Sequence, residues 1–166
     1  MVTSLPKIDP TIRSILEKVM DPEIPVLSIM DMGIVRGIEQ DGKKVKIKIT
    51  PTYTGCPAMD MIATEIKIHL DVAGYDTEVE LVLSPAWSTD WLTVRGRKAL
   101  EDYGIAAPLN EALDKRALMG ESNLVKCTNC GSTDTILVSE FGSTACKSLF
   151  KCQSCLEPFD YFKCLK

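Results

Sequence analysis

The residues best suited to chemistry in this chain are its seven cysteines, six of which fall between Cys127 and Cys164. Cys127-Thr-Asn-Cys130 and Cys152-Gln-Ser-Cys155 are two CxxC pairs separated by 21 residues. Two such pairs, each folded as a knuckle, bring four thiolates into the tetrahedron that zinc prefers. Gly131 follows the first pair, where the tight turn of a knuckle needs a glycine. Cys127, Cys130, Cys152 and Cys155 are therefore the predicted metal ligands, and zinc the predicted metal. Disulfides or unrelated thiols are the competing reading, and a reducing compartment and an odd cysteine count weigh against them. Cys146 and Cys164 lie outside the pairs, as ordinary buried thiols or as alternate ligands that would admit an iron–sulfur cluster in place of zinc.

The seventh cysteine stands alone. In TYTGCPAMD, Cys56 precedes a proline at the start of a helical pattern. A sulfur there faces the positive end of a helix, where a thiolate is stabilised, although a small buried hydrophobe would fit the same place. Three segments rich in unusual residues lie at the ends of predicted elements: Asp21-Pro22-Glu23-Ile24-Pro25, Thr52 to Pro57, and Ser84-Pro85-Ala86-Trp87. If their loops converge, Asp21, Glu23, Thr52 and Cys56 form a small polar site with one soft and two hard potential ligands. The Asp and Glu serve equally well as a turn and capping device. No catalytic residue is predicted. The sole histidine, His69, lies 13 residues beyond Cys56 in the same predicted helix. About three and a half turns separate the two, which rules out direct pairing within that helix. Trp87 and Trp91 are expected in the core rather than as a stacking platform.

The elements that must position these residues follow from periodicity. Asp9 caps a first helix with Pro10 at its first position and Ile12, Ile15, Leu16 and Val19 at helical spacing. DPEIPVLSIMDMGIV, broken by two prolines and a glycine yet apolar, reads as an ordered loop. Strands over 34–40 and 43–50 flank an Asp41-Gly42 hairpin turn, and Lys44, Lys46 and Lys48 alternate with Val45, Ile47 and Ile49. A second helix from Pro57 to about Val72 has Met59, Ile62, Ala63, Ile66 and Leu70 on one face, Cys56 at its N-cap and Gly74 to end it. A strand over 77–83 follows, then a helix capped by Ser88 or Thr89 and closed by Gly104. Strands that do not alternate regularly with helices favour an α+β fold, a small mixed sheet with helices on one side. The polar 105–123 segment is the predicted linker between a 1–104 domain and a 124–166 domain. The latter has strands in ILVSEF, SLFK and FDYF and too little apolar mass to fold without a metal.

Composition narrows the partners. A net charge of −4 with interspersed signs, and five lysines against four acids in residues 124–166, present no basic face to nucleic acid. MVTSLPKIDP lacks a signal-peptide pattern, and no apolar run approaches a membrane span, so a cytoplasmic protein is expected.

VMDPEIPVLSIMDMGIVRGI, TPTYTGCPAMDMIATEI and LSPAWSTDWLT resemble the successive motifs of the SufT-like family, over about residues 10–104. With the tail and its FGSTACKSLFKC and EPFDYFKC stretches, the whole chain resembles the PaaD family of phenylacetate-degradation accessory proteins. The resemblance implies a role in iron–sulfur assembly and association with the subunits of a phenylacetyl-CoA oxygenase and its reductase, or with other iron–sulfur clients. It also implies a transient iron or iron–sulfur cargo, with homo-oligomers open. By the same resemblance Asp21 and Glu23 match the family's DPE motif, and Cys56 matches the cysteine of its Thr-to-Cys-Pro loop. Tyr53 stands where many relatives carry a second threonine beside Thr52.

Overall fold

The computed structural model describes residues 8–163, so Cys164 lies outside the described residues. The chain divides into two compact units, one ending at Trp87 and the other beginning at Ser88.

In the first unit, α1 (Pro10–Leu16) starts where Asp9 accepts a hydrogen bond from the Thr11 N–H at 2.8 Å. The same carboxylate accepts from the Tyr75 hydroxyl at 2.7 Å, so the cap also ties the helix to distant chain. The loop that follows is ordered, with Ile24, Leu27, Ile29, Met32 and Ile34 buried. Strands β1 (Val35–Asp41) and β2 (Lys44–Ile49) form the expected antiparallel hairpin, but its turn is Gly42-Lys43, one residue later than expected, because Asp41 pairs with Lys44. Helix α2 (Ala58–Val72) then crosses to β3 (Asp76–Leu81), which pairs in parallel with β2 to give the order β1-β2-β3. Val45, Ile47 and Ile49 of β2 are buried, as are Met59, Ile62, Ile66 and Leu70 of α2. On the alternate positions, Lys46 bridges Glu78 at 3.2 Å and Glu80 at 3.1 Å.

The strand pairing determines where the loops go. Val35 opposes Ile49 across the hairpin, and Ile49 opposes Leu81 across the parallel pair. The beginning of β1, the end of β2 and the end of β3 therefore share one end of the sheet. Trp87, beyond β3, is buried and donates its indole N–H to the Met32 carbonyl at 3.0 Å, a core role as expected.

The second unit opens with a short 3-10 turn (Thr89–Trp91) capped by Ser88, followed by α3 (Val94–Tyr103). The cap of α3 is Thr93, whose hydroxyl accepts from the Gly96 N–H at 2.9 Å, rather than Ser88 or Thr89. Gly104 closes α3 in the left-handed conformation, φ 94°. The 105–123 segment is not a free linker. It contains β4 (Ile105–Ala106) and α4 (Glu111–Leu118), and β4 pairs in parallel with the last strand. Strands β5 (Thr135–Ser139), β6 (Lys147–Cys152) and β7 (Pro158–Phe162) complete a sheet of order β4-β7-β6-β5.

The reason for this difference is physical. Apart from Ile105 the segment's buried apolar residues are small, and two of them, Ala106 and Ala117, lie in the same apolar cluster as Val125, Phe150, Phe159 and Tyr161, so its composition looks polar although it is packed. A polar contact adds to it: the Tyr161 hydroxyl accepts from the Leu109 N–H at 3.0 Å and donates to the buried carboxylate of Asp114. Among the described residues, no helix is long and apolar enough to cross a membrane.

Ala117 is fully buried. Ala117→Asp should destabilise the second unit by about 3 kcal/mol or more, because it leaves an uncompensated buried charge. Limited proteolysis of that variant should leave a resistant fragment ending near Trp87. A resistant fragment ending within 105–123 would contradict this division of the chain.

Candidate functional site

The first site lies at the shared end of the β1-β2-β3 sheet. Beyond β2, the Cys56 N–H donates to the Tyr53 carbonyl at 3.3 Å, closing a turn whose third residue, Gly55, has φ 79°. A positive φ at that position calls for glycine. The N-cap of α2 is Pro57, one residue later than Cys56, the cap expected from the sequence, so Cys56 immediately precedes the cap. The sulfur still receives the hydrogen bond of a capping group, from the Ala58 N–H, and a second from the Tyr53 side chain. Thr52 is half-buried at the start of the same loop.

Asp21 is buried, and one carboxylate oxygen accepts from the N–H groups of Glu23 and Ile24, each at 2.8 Å. It thus fixes the Asp-Pro-Glu turn. The Asp21 N–H donates to the Leu27 carbonyl at 2.9 Å, folding the loop back on itself. Both carboxylates of this turn act on the Cys56 thiol electrostatically, although Asp21, Glu23 and Cys56 do not form a close group of metal-ligating atoms.

The electrostatics differ from the thiolate-stabilising site expected of a helix start. Burial pushes the half-buried Cys56 thiol above its ordinary pKa, the Ala58 and Tyr53 hydrogen bonds pull it down by less, and the Glu23 and Asp21 carboxylates push it up further. The thiol is thereby shifted toward its protonated form. His69 supplies no base, since it lies exposed further along α2, with Nε2 3.2 Å from Glu65. A protonated thiol beside two carboxylates is a weak nucleophile, yet the same negative field attracts a cation that can displace the thiol proton.

The second site is the cysteine group. The sulfurs of Cys127, Cys130, Cys152 and Cys155 all lie within 4.8 Å of one another. Cys127 and Cys155 are 3.7 Å apart, and Cys130 and Cys152 3.6 Å. A tetrahedral zinc with Zn–S bonds of about 2.3 Å separates its sulfurs by about 3.8 Å, whereas a disulfide requires about 2 Å. The donor set therefore fits a tetrahedral thiolate-bound metal and no disulfide.

The backbone is set for the same purpose. Gly131 turns the chain after the first pair at φ 76°, and Leu156 does so after the second at φ 67°. The second turn escaped sequence reasoning because its residue is a leucine. The N–H groups of Cys155 and Ser154 hold Cys152 down to about 6, and chiefly the Glu157 N–H lowers Cys155. Cys130 is pushed up to about 11: the Ser132 N–H at its sulfur is outweighed by desolvation and by proton sharing with Cys152, Cys155 and Cys127. Cys146 is buried within 3.1 Å of the Thr144 hydroxyl and does not belong to this group.

The arrangement defines a class: an α+β thiol-bearing domain followed by a four-cysteine ribbon. Residues 9–81 match the family described as "Iron-sulfur cluster assembly protein", and residues 111–163 match the "PaaD zinc beta ribbon domain". Over 155 residues the chain is 46% identical to an Escherichia coli K12 protein named as one subunit of a "Putative 1,2-phenylacetyl-CoA epoxidase", covering 93% of this chain and 92% of that protein. The chain belongs to the PaaD family. It is also 36% identical to "Fe-S protein maturation auxiliary factor YitW" of Bacillus subtilis, over 54% of this chain and 89% of that one. Among solved structures, "Domain of Unknown Function DUF59" of Bacillus anthracis superposes with a TM-score of 0.51 at 29% identity, over 55% of this chain and 89% of that one.

The polarity at Cys56 can be measured directly. Glu23→Gln removes a charge that opposes thiolate formation and should lower the pH midpoint for alkylation of Cys56, whereas Tyr53→Phe removes a stabilising hydrogen bond and should raise it. Iodoacetamide labelling across pH, mapped by peptide mass spectrometry, reads both. A midpoint unmoved by Glu23→Gln would contradict the charge coupling.

Proposed function

We propose that this chain is a maturation factor for a multicomponent phenylacetyl-CoA epoxidase, assisting assembly of its iron or iron–sulfur centres. In this reading Cys56 is the working thiol, Asp21 and Glu23 attract the cation, Thr52 belongs to the same loop, and no residue is catalytic. The observation that carries the reading is the setting of Cys56: a half-buried free thiol at the start of α2, in the field of the Asp21 and Glu23 carboxylates and remote from the exposed His69. That is poor equipment for nucleophilic catalysis and good equipment for brief metal ligation. Among the described residues, the tetrad is the only group of three or more metal-ligating side chains with closely spaced donor atoms. Iron or a cluster at Cys56 is therefore cargo whose remaining ligands come from another molecule, such as a component of the oxygenase or its reductase.

In the same proposal the tetrad of Cys127, Cys130, Cys152 and Cys155 holds one zinc that stabilises the ribbon. Zinc is redox-inert, so it supplies folding energy and no electron transfer. The name of the Escherichia coli relative favours a second reading, a structural or electron-transfer component of the oxygenase. Stable stoichiometric co-purification with the catalytic subunits would support that alternative.

Two outcomes are expected. Metal analysis of anaerobically purified protein should give about one zinc per chain without a visible charge-transfer band, and iron with sulfide would overturn the zinc assignment. Cys56→Ser should leave thermal unfolding nearly unchanged, since serine keeps the size and capping capacity. It should nevertheless lower the iron content of the oxygenase and its reductase and slow growth on phenylacetate, because a hydroxyl is a poor ligand for iron beside a thiolate. Normal iron occupancy and growth with the serine variant would refute the role of the thiol.

A further inference from the structure

The two knuckles are joined by polar contacts in addition to any shared metal. Each contributes one inner and one outer sulfur: Cys127 is 2% exposed and Cys152 0%, whereas Cys130 is exposed and Cys155 half-buried. Asn129 reaches from the first knuckle to the second, its amide Nδ2 donating to the Cys155 sulfur at 3.7 Å. The hydroxyls of Ser132 and Ser154, one from each side, share a hydrogen bond of 2.9 Å. Ser132 Oγ also accepts from the Asp134 N–H at 3.1 Å, which fixes it in the turn. The Cys155 N–H bond to Cys152, by contrast, stays within one knuckle.

We infer that Asn129 is a positioning residue for the metal centre, clasping Cys155 to the opposite knuckle and so slowing departure of the metal through the outer edge. The inference rests on the tetrad holding zinc. A metal leaves a four-thiolate site stepwise, as one sulfur swings away and a competing ligand replaces it. Cys127 and Cys152 are buried in the apolar cluster with Phe150 and Tyr161, and Cys155 packs half-buried against it, so the outer edge is Cys130 together with a Cys155 that is held only in part by packing. A side-chain N–H bond to Cys155 both orients that sulfur and draws off part of its charge. Loss of such a supporting contact to a metal ligand commonly changes metal affinity about 10–100-fold.

The test uses the full-length protein loaded with zinc, its metal content checked first, and then mixed with an excess of a chromophoric chelator. Zinc should be released about tenfold faster from Asn129→Ala and from Asn129→Asp than from wild type. Asn129→Asp cannot donate at neutral pH but adds a charge that repels the thiolates, so Asn129→Leu, close in volume, uncharged and without a donor, is measured beside it: it too should release zinc about tenfold faster, whereas a merely space-filling role would leave it at the wild-type rate. In the cobalt-substituted protein, the sulfur-to-cobalt charge-transfer band should move to lower energy in all three variants, because the sulfur lone pairs lose a stabilising hydrogen bond. Release within about twofold of wild type for Asn129→Leu, with an unmoved band, would overturn the inference. Failure of the wild-type protein to bind zinc or cobalt, seen before chelator is added, would overturn the zinc assignment itself.

Discussion

The parallel pairing of β2 with β3 is the constraint on which the thiol site depends. Two parallel strands cannot be joined by a hairpin, so the chain must leave the end of β2, cross the sheet as α2 and return at the start of β3. The turn that carries Cys56 is thereby held between a strand end and a helix start, the place where open sheets with crossover helices commonly bind ligands. The antiparallel β1 completes the site from the other side. Because Val35 opposes Ile49 and Ile49 opposes Leu81, the chain entering β1 and the chains leaving β2 and β3 meet at the same end, where Trp87 bonds to Met32.

The ribbon unit answers a different difficulty. Its strands supply the buried rings of Phe150, Phe159, Tyr161 and Phe162, with Phe150 packed 6.0 Å from Phe159 and 5.4 Å from Tyr161 between ring centroids. The inner sulfurs Cys127 and Cys152 belong to the same cluster, so a metal there would brace the core as well as the knuckles. The rest comes from outside the ribbon: β4 adds a strand and α4 adds Ala117 and Asp114. The four-cysteine group and Cys56 thus belong to separate units.

Much of this is legible in the sequence because it rests on local rules. The CxxC spacing, the Asp41-Gly42 hairpin signal, the Asp9 cap and the period of α2 each encode a local geometry. What is not legible depends on contacts between distant residues. The polarity of Cys56 runs against the sequence expectation because a helix start lowers a thiol pKa, whereas burial and the carboxylates of Asp21 and Glu23 appear only after folding. The partnership of Tyr161 with Asp114 spans 47 residues, and without it the 105–123 segment looks like a tether. Asn129 and Leu156 are silent for another reason: an amide in a CxxC pair and a leucine after one announce no special role until the turn geometry is seen.

The central claim is that Cys56 receives and passes on iron or a cluster. Its most direct measurement is in vitro maturation of the purified apo reductase with ferrous iron and sulfide under anaerobic conditions, followed by recovery of the visible absorption of its cluster. The wild-type chain should accelerate that recovery, and the Cys56→Ser chain, equally folded and equally loaded with zinc, should give the rate seen with no added factor. Equal acceleration by the two proteins would contradict the account.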